Sequence, residues 1–320
     1  MPTQFLRDFH LTPVSGRIAS AVSANPLGPL ALLPGTWKGT GFNQIWRPFP
    51  GAGRGQPRFL ELNETIETLE FTEVPGEIVN RGLLQPDITF RVVIYDQTIQ
   101  DANVLGPNGA PIVIHFERGD WRVVPATTNP SNPATVVRQA SILHGVTFPA
   151  QGAAIVTLGP PTFKTADITP FEAGNPGNPA RFPEQVLANA SQFRTVLGDI
   201  PNIVQADLDD PNSLLSRGIA GKDITETTTL IVSSEPLNPP SSGGGIGNIA
   251  FLVGTTGPIP GAPPDPNAAV VRVDAIFWIE RIINHPDGRG AFQLQYSQRV
   301  LLRFNGLDWP HVSVATLQKI

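Results

Sequence analysis

Residues 269–282 read AVVRVDAIFWIERI, and residues 292–304 read FQLQYSQRVLLRF. In the first stretch apolar side chains occupy every second position, and the positions between them hold Arg272, Asp274, Trp278 and Glu280. The second stretch alternates in the same way. A period of two over this length is typical of β-strands, because successive side chains point to opposite faces of a sheet. We therefore predict two long strands, each with one buried face and one more solvated face.

Similar segments recur along the chain. They combine β-branched and aromatic residues, have turn residues at their ends and are predicted as strands: 36–45, 59–74, 89–99, 111–117, 121–125, 135–143, 153–158, 224–233, 249–254 and 311–317. One helix is predicted over residues 183–197, where Pro183 suits the first turn and Gly198 suits the C-terminal cap.

These elements predict an all-β fold. Parallel sheets need crossover helices, so a chain with one predicted helix favours antiparallel pairing. A closed up-and-down β-barrel of about ten strands leaves no unpaired edge and is the leading prediction, with a β-sandwich as the alternative. We expect one domain over residues 1–320, in which residues 159–222 form a loop and helix insertion that covers the barrel.

The composition agrees with this fold and excludes several functions. The 320 residues include 31 Gly and 34 Pro, which interrupt helices, and no Cys, which excludes disulfides and Cys-based metal sites. The net charge is −5 without a Lys or Arg cluster, so nucleic-acid binding is not indicated. Residues 1–11 lack a signal-peptide core, and no run of about 18 apolar residues occurs. We expect a cytoplasmic protein with no membrane partner.

His311 is the most informative of the five His residues. It follows Pro310 at the start of a predicted strand, and the small residues Ser313 and Ala315 share its face. This face leaves room for a flat ligand beside the imidazole, and neutral imidazole is a good iron ligand. The alternative is a His at a strand edge that only bonds to backbone or solvent. His285 is predicted to be a turn residue.

Three motifs resemble those of the nitrobindin family and occur in that family's order. Residues 32–41 (LLPGTWKGTG) are similar to its opening "LLGTWxGxG", residues 115–122 (HFERGDWR) to its "HxExGYxR" turn, and residues 310–317 (PHVSVATL) to its "PHLxATL" ending. The resemblance implies a ten-stranded, fatty-acid-binding-protein-like barrel that holds haem b, with His311 as the axial iron ligand. It also implies binding of nitric oxide and isomerisation of peroxynitrite at ferric haem.

For the site, the resemblance and the sequence pattern together predict six cofactor-binding residues: His311, Thr36, Gly39, Gly41, His115 and His144. His115 and His144 are expected on the far side of the pocket from His311. The family's chains are about half as long, and residues 43–46 replace its third Gly and its "YPTI" run. The extra loops therefore predict a deeper pocket, and a peroxide is a further candidate ligand.

Two functions without haem remain open. The apolar strand faces equally suit a metal-free, lipocalin-like carrier of an apolar small molecule. A cofactor-free barrel isomerase or cyclase would use Glu117, Asp274 or Glu280 as a general acid or base. We interpret Arg272 and Asp274 as solvated outer residues rather than an internal ion pair. In each case the expected partner is a small molecule in the barrel pocket, with a homodimer as one assembly state.

Overall fold

The computed structural model describes residues 25–49, 58–235, 240–254, 266–283 and 290–320. The turn predicted at His285 lies outside these residues. The described part is dominated by long strands, which we number β1 to β10: Gly35–Pro48, Arg58–Glu73, Ile88–Leu105, Pro111–Val124, Thr135–Ile142, Val146–Leu158, Ile224–Ser233, Ala269–Ile282, Ala291–Phe304 and Leu307–Lys319.

These strands form a closed antiparallel barrel. Each strand pairs with the next one along the chain, and β1 pairs with β10 to close the sheet. The closing register runs from Trp37 opposite Lys319 to Ile45 opposite His311. The prediction of a ten-stranded up-and-down β-barrel is confirmed, and the alternative of a β-sandwich is wrong.

Two glycines allow β1 and β10 to approach each other closely. A Cβ atom at Gly39 would lie 2.1 Å from the carbonyl oxygen of Thr316, and one at Gly41 would lie 2.4 Å from that of Val314. Both distances are far below van der Waals contact, so any side chain at these positions would push the strands apart. The glycine pair of the opening motif is therefore required for closure of the barrel.

The barrel interior is filled mainly by apolar side chains. Trp37, Trp121 and Phe277 are among the largest fully buried residues, and the rings of Trp121 and Phe277 meet edge to face at 5.2 Å. The short 3₁₀ turn Gly28–Leu30 packs against this core, and the indole of Trp37 donates to the Leu33 carbonyl at 2.8 Å. This core fixes which face of each strand points into the barrel, and it thereby fixes which residues can line the site.

The segment between β6 and β7 packs on the barrel wall. Its regular elements are two short strands, two 3₁₀ turns and the helices α1 and α2: Phe171–Glu172, Asn175–Pro179, Pro183–Gln185, Leu197–Asp199, Gln205–Asp209 and Asn212–Ile219. A second apolar core lies between this segment and the wall. In it, Phe182 stacks on Trp309 at 5.3 Å, and Phe163 meets Trp278 at 4.9 Å.

The helix predicted over residues 183–197 is wrong. Within this range the structure has only the 3₁₀ turn Pro183–Gln185 and, at its last residue, the start of the 3₁₀ turn Leu197–Asp199. The chain that follows folds around the buried guanidinium of Arg194, which donates to four backbone carbonyls, those of Glu184, Val186, Leu187 and Asn189, at 2.7–3.1 Å. A helix would use these carbonyls for its own hydrogen bonds, so the two arrangements exclude each other.

The solvated outer face predicted for β8 is also wrong. Asp274 is 1% exposed and bonds to Arg272 at 2.9 Å and to Arg299 at 2.8 Å. The interpretation of Arg272 and Asp274 as solvated residues is therefore wrong, because they belong to a largely buried ion cluster. Glu280 is fully buried on the same outer face, where Gln293 donates to its carboxyl at 2.5 Å.

The remaining described elements are small. They are the short strands Ile78–Asn80, Thr127–Thr128, Ser131–Asn132 and Gly247–Asn248, and the four-residue helix α3, Ala250–Val253. None of the helices in the described ranges has the length and the apolar character needed to cross a membrane.

Candidate functional site

A cavity of about 310 Å³, within the lower range of small-molecule pockets, is lined by side chains from most strands of the barrel, among them β1, β4, β9 and β10. Most of its wall is apolar, and six of the side chains that form it are Ile45, Ile99, Ile114, Ile142, Val300 and Leu302. At one side it reaches the surface, because Arg47 and Glu61, which pair with each other, line it with side chains that are 39% and 29% exposed.

His311 lies in the wall of this cavity, and a tight turn sets its direction. Asn305 and Gly306 form a two-residue turn between β9 and β10, and both have positive φ angles, 49° and 71°. Asn-Gly suits this turn type, which fixes the pairing register of the two strands. A shift of one residue would point His311 out of the barrel. In the observed register it lies between Ile45 and Val300.

The His311 ring is neutral and has polar neighbours. Burial, together with the nearby His115 and His144, lowers the pKa of His311 to about 3. Its Nε2 atom lies 3.4 Å from Asn43 Oδ1 and 3.3 Å from Ser313 Oγ, and the Ser313 hydroxyl donates to Asn43 Oδ1. A neutral imidazole at a cavity wall can bind a metal ion or accept a proton from a ligand.

His115 and His144 line the same cavity. His115 belongs to β4 and pairs with Ile99, whereas His144 lies in the turn between β5 and β6. Their rings stack with centroids 5.6 Å apart, and His144 is exposed to solvent. Burial and the neighbouring His115 lower the pKa of His144. The structure thus brings together the three imidazoles that the sequence analysis selected.

Thr36, Gly39 and Gly41, the other predicted cofactor-binding residues, are not among the residues that line this cavity. Gly39 and Gly41 face the seam between β1 and β10, and a Cβ at Gly41 would also lie 2.7 Å from the Glu67 carboxyl. The backbone carbonyl of Thr36 accepts a hydrogen bond from the amide of Ile320 at 2.9 Å. The contacts of all three serve barrel closure.

A buried ion pair supports the His115 side of the cavity. Glu117 is fully buried, and its Oε1 atom accepts hydrogen bonds from Tyr95 and, at 2.5 Å, from Arg138. Burial alone would raise the pKa of Glu117, but the charge of Arg138, the nearby His115 and the hydrogen bond from Tyr95 hold it at about 2. The second carboxyl oxygen, Oε2, lies 3.6 Å from His115 Nε2.

Arg138 was not among the predicted site residues, although the sequence carries a signal for it. Arg138 takes the place of an apolar residue on the inward face of β5, between Val136 and Ala140. A charge at an inward position of an alternating strand requires a buried partner of opposite sign. Its guanidinium also lies 5.0 Å from the Phe277 ring centroid, within cation–π range.

The cavity also has a polar row on adjacent strands. Asn43, Ser313 and Gln298 are direct neighbours across β1, β10 and β9. Arg138 donates to Gln298 Oε1 at 2.5 Å, and because Arg can only donate, this contact fixes the orientation of the Gln298 amide. Because Gln298 lines the cavity, its NH₂ group can donate to a ligand there.

Of the three acids proposed for a cofactor-free enzyme, none lines this cavity. Asp274 and Glu280 lie on the outer face of β8, in the contacts described above. Glu117 points into the barrel but lies behind His115 and is bound to Arg138. Direct acid–base chemistry by these carboxyls on a ligand in this cavity is therefore excluded by their positions.

Among the described residues no three His, Asp or Glu side chains are grouped so that they could hold a metal ion. Haem needs only one protein ligand, because the porphyrin supplies four donors to the iron. A single neutral imidazole, apolar walls and an opening to the surface are features that fit such a flat group.

Comparison with known proteins leaves the family of this chain open. No protein-family model and no curated protein matches the sequence. The crystal structure of Rv2717c from M. tuberculosis aligns with 95% of this chain and 99% of its own, at 16% identity and a TM-score of 0.38. A likeness this weak carries no functional inference.

Proposed function

We propose that this protein binds haem in the cavity, with His311 as the axial iron ligand. The observation that carries the proposal is the neutral imidazole of His311 in an apolar cavity wall. A proton on the ring would compete with the iron, and a pKa of about 3 removes that competition at physiological pH. The resemblance of residues 310–317 to the nitrobindin ending points to the same side chain.

Other residues of the chain have supporting roles in this proposal. Ile45 and Val300 flank His311 on the neighbouring strands and restrict its ring. Ser313 and Asn43 would contribute hydrogen bonds in the part of the cavity next to His311. His115 and His144 line another part of its wall. When bound, ferric haem supplies an iron with an open coordination position for nitric oxide, peroxynitrite or a peroxide.

A hemin titration followed by absorption tests this function. The wild-type protein should give a saturable Soret band with one equivalent of hemin. His311→Ala removes the axial ligand and should weaken binding by more than about 100-fold, because even outer-shell partners of metal ligands are worth 10- to 100-fold. Arg118→Gln is the matched control, since the Arg118 side chain is 72% exposed and pairs with Asp96 at the surface.

Two results would contradict the proposal. A wild-type spectrum that hemin leaves unchanged would exclude haem, and equal hemin affinity in His311→Ala and wild type would exclude His311 as the ligand. Circular dichroism of His311→Ala would establish that the barrel is intact, so that a loss of binding refers to the imidazole.

A metal-free carrier is the second candidate, and one observation favours it. The Nε2 atom of His311 already lies within hydrogen-bond distance of Ser313 and Asn43, and the NH₂ group of Gln298 can donate to a ligand. These groups would bind the polar end of a small molecule whose apolar body fills the cavity. Mass spectrometry of a solvent extract of the purified protein should then reveal an organic ligand, and its absence together with a hemin-dependent Soret band would exclude this candidate.

A further inference from the structure

The opening of the cavity carries one fixed positive charge. Among the described residues that line the cavity, Arg47 is the only Arg or Lys, and the only acid is Glu61, with which it pairs. A guanidinium is always charged, and it can only donate hydrogen bonds. A ligand in this cavity therefore meets a cation on the side that reaches the surface.

Aromatic rings hold the guanidinium of Arg47 in place. Its central carbon lies 4.5 Å from the ring centroid of Phe59 and 5.6 Å from that of Phe49, both within cation–π range. The two rings also contact each other, with centroids 5.5 Å apart. Phe59 is the residue opposite Arg47 in the pairing of β1 with β2, so the sheet itself supports this contact. An Arg side chain that is restricted in this way loses little freedom when it binds a ligand.

The edge of the guanidinium can accept a further partner. Within the described ranges, the hydrogen bonds of Arg47 use two of its five N–H groups. Nε donates to Glu61 Oε2, and Nη1 donates to the Pro48 carbonyl at 3.5 Å, which is long for a hydrogen bond. The edge formed by Nη1 and Nη2 matches the two oxygens of a carboxylate, which an Arg binds through parallel hydrogen bonds.

Arg47 and His311 lie on one wall of the cavity. Ile45, which pairs with His311 across β1 and β10, is two positions before Arg47 on the same face of β1. Strand geometry therefore places the Cα atoms of Arg47 and His311 roughly 8 Å apart. One ligand in the cavity can thus contact His311 and Arg47 at the same time.

We propose that Arg47 binds a carboxylate of the ligand, which is an apolar molecule with an acidic end at the cavity opening. The assignment to haem rests on the proposed function, and the carboxylate is then a propionate of the porphyrin. In a metal-free carrier it belongs to an organic acid. Glu61 opposes this binding because it has the same charge as the ligand. Removing Arg47 and removing Glu61 should therefore change the affinity in opposite directions.

The acid and ester forms of one ligand test the contact. Wild type should bind hemin about 10-fold more tightly than hemin dimethyl ester, in the range for charged hydrogen bonds at a partly exposed site. Arg47→Gln should remove this preference. Glu61→Gln keeps an acceptor for Arg47 Nε and should increase it, and Arg118→Gln should keep the wild-type ratio. Each ratio compares two ligands on the same variant, so a general loss of stability does not alter it.

Pyrenebutyric acid and its methyl ester, followed by pyrene fluorescence, give the same comparison without iron. If hemin does not bind but pyrenebutyric acid shows the preference that depends on Arg47, the proposed function fails and the carboxylate site stands, with an organic acid as its ligand. If hemin alone shows the preference, the carboxylate is a porphyrin propionate. An acid-to-ester ratio that Arg47→Gln leaves unchanged for both ligands would overturn the proposal, as would a wild-type protein that binds neither acid.

Discussion

Replacing Gly39 by Ala is expected to destabilise the barrel at the seam between β1 and β10. The added Cβ would lie 2.1 Å from the Thr316 carbonyl oxygen and 2.9 Å from the Leu317 Cα atom, and both are backbone atoms that no rotamer change can move. Relief requires the strands to separate by about 1 Å, which lengthens ladder hydrogen bonds beyond bonding range. Overpacking costs about 1–3 kcal/mol and a lost hydrogen bond about 1 kcal/mol, so we expect a loss of about 3 kcal/mol.

Urea denaturation, followed by circular dichroism, measures this loss, which should correspond to a fall in Tm of about 6 °C. Gly198→Ala is the matched control, because a Cβ there meets no atom within 4 Å and should change stability by less than about 0.5 kcal/mol. Equal stability of the two variants would refute the role of Gly39 in closure. A Gly39→Ala protein that keeps its stability but loses hemin binding would instead support the ligand contact implied by the nitrobindin resemblance.

Two further predictions concern buried carboxyls. Arg138→Leu should destabilise the protein by about 3–5 kcal/mol because it leaves the Glu117 charge uncompensated, and Glu117→Leu combined with Arg138→Leu should recover most of this loss. Urea denaturation of the single and double variants measures both, and additive losses would contradict the pairing. Burial raises the pKa of Glu280 from 4.5 in the unfolded chain to about 8, so the folded protein holds a proton that the unfolded chain releases, and stability should fall as pH rises through this window. Glu280→Gln keeps an acceptor for Gln293 and should remove this decline, whereas an unchanged decline in urea midpoints would refute the assignment.

The strand pattern predicted the barrel because its signal is local. Alternation along residues 269–304 and the turn residues between segments follow from strand geometry, and the chain has too little helix for a parallel sheet. The outer face of β8 was mispredicted. Alternation distinguishes polar from apolar positions along a strand, but it does not show whether other parts of the chain bury the polar face. A non-local cluster around Asp274 buries that face.

The site was predicted in part. His311, His115 and His144 were selected from local context, and the structure brings them to one cavity. The Gly39 and Gly41 positions were expected at a ligand, but the close neighbour of each is the backbone of β10. The prediction of a helix over residues 183–197 failed for a related reason. The Arg194 side chain binds backbone carbonyls that a helix would use for its own hydrogen bonds, and a single Arg leaves no periodic pattern in the sequence.

The pairing of β1 with β10 has a consequence for how the protein acquires its ligand. His311 lies on the tenth strand and is held from one side by Ile45 of the first, so the cavity wall forms only when the most distant segments of the barrel meet. Contacts of such sequence separation form slowly and late in folding. Ligand uptake should therefore follow completion of the chain rather than accompany its synthesis, and the rate at which bound ligand accumulates during refolding would report the closure of the barrel itself.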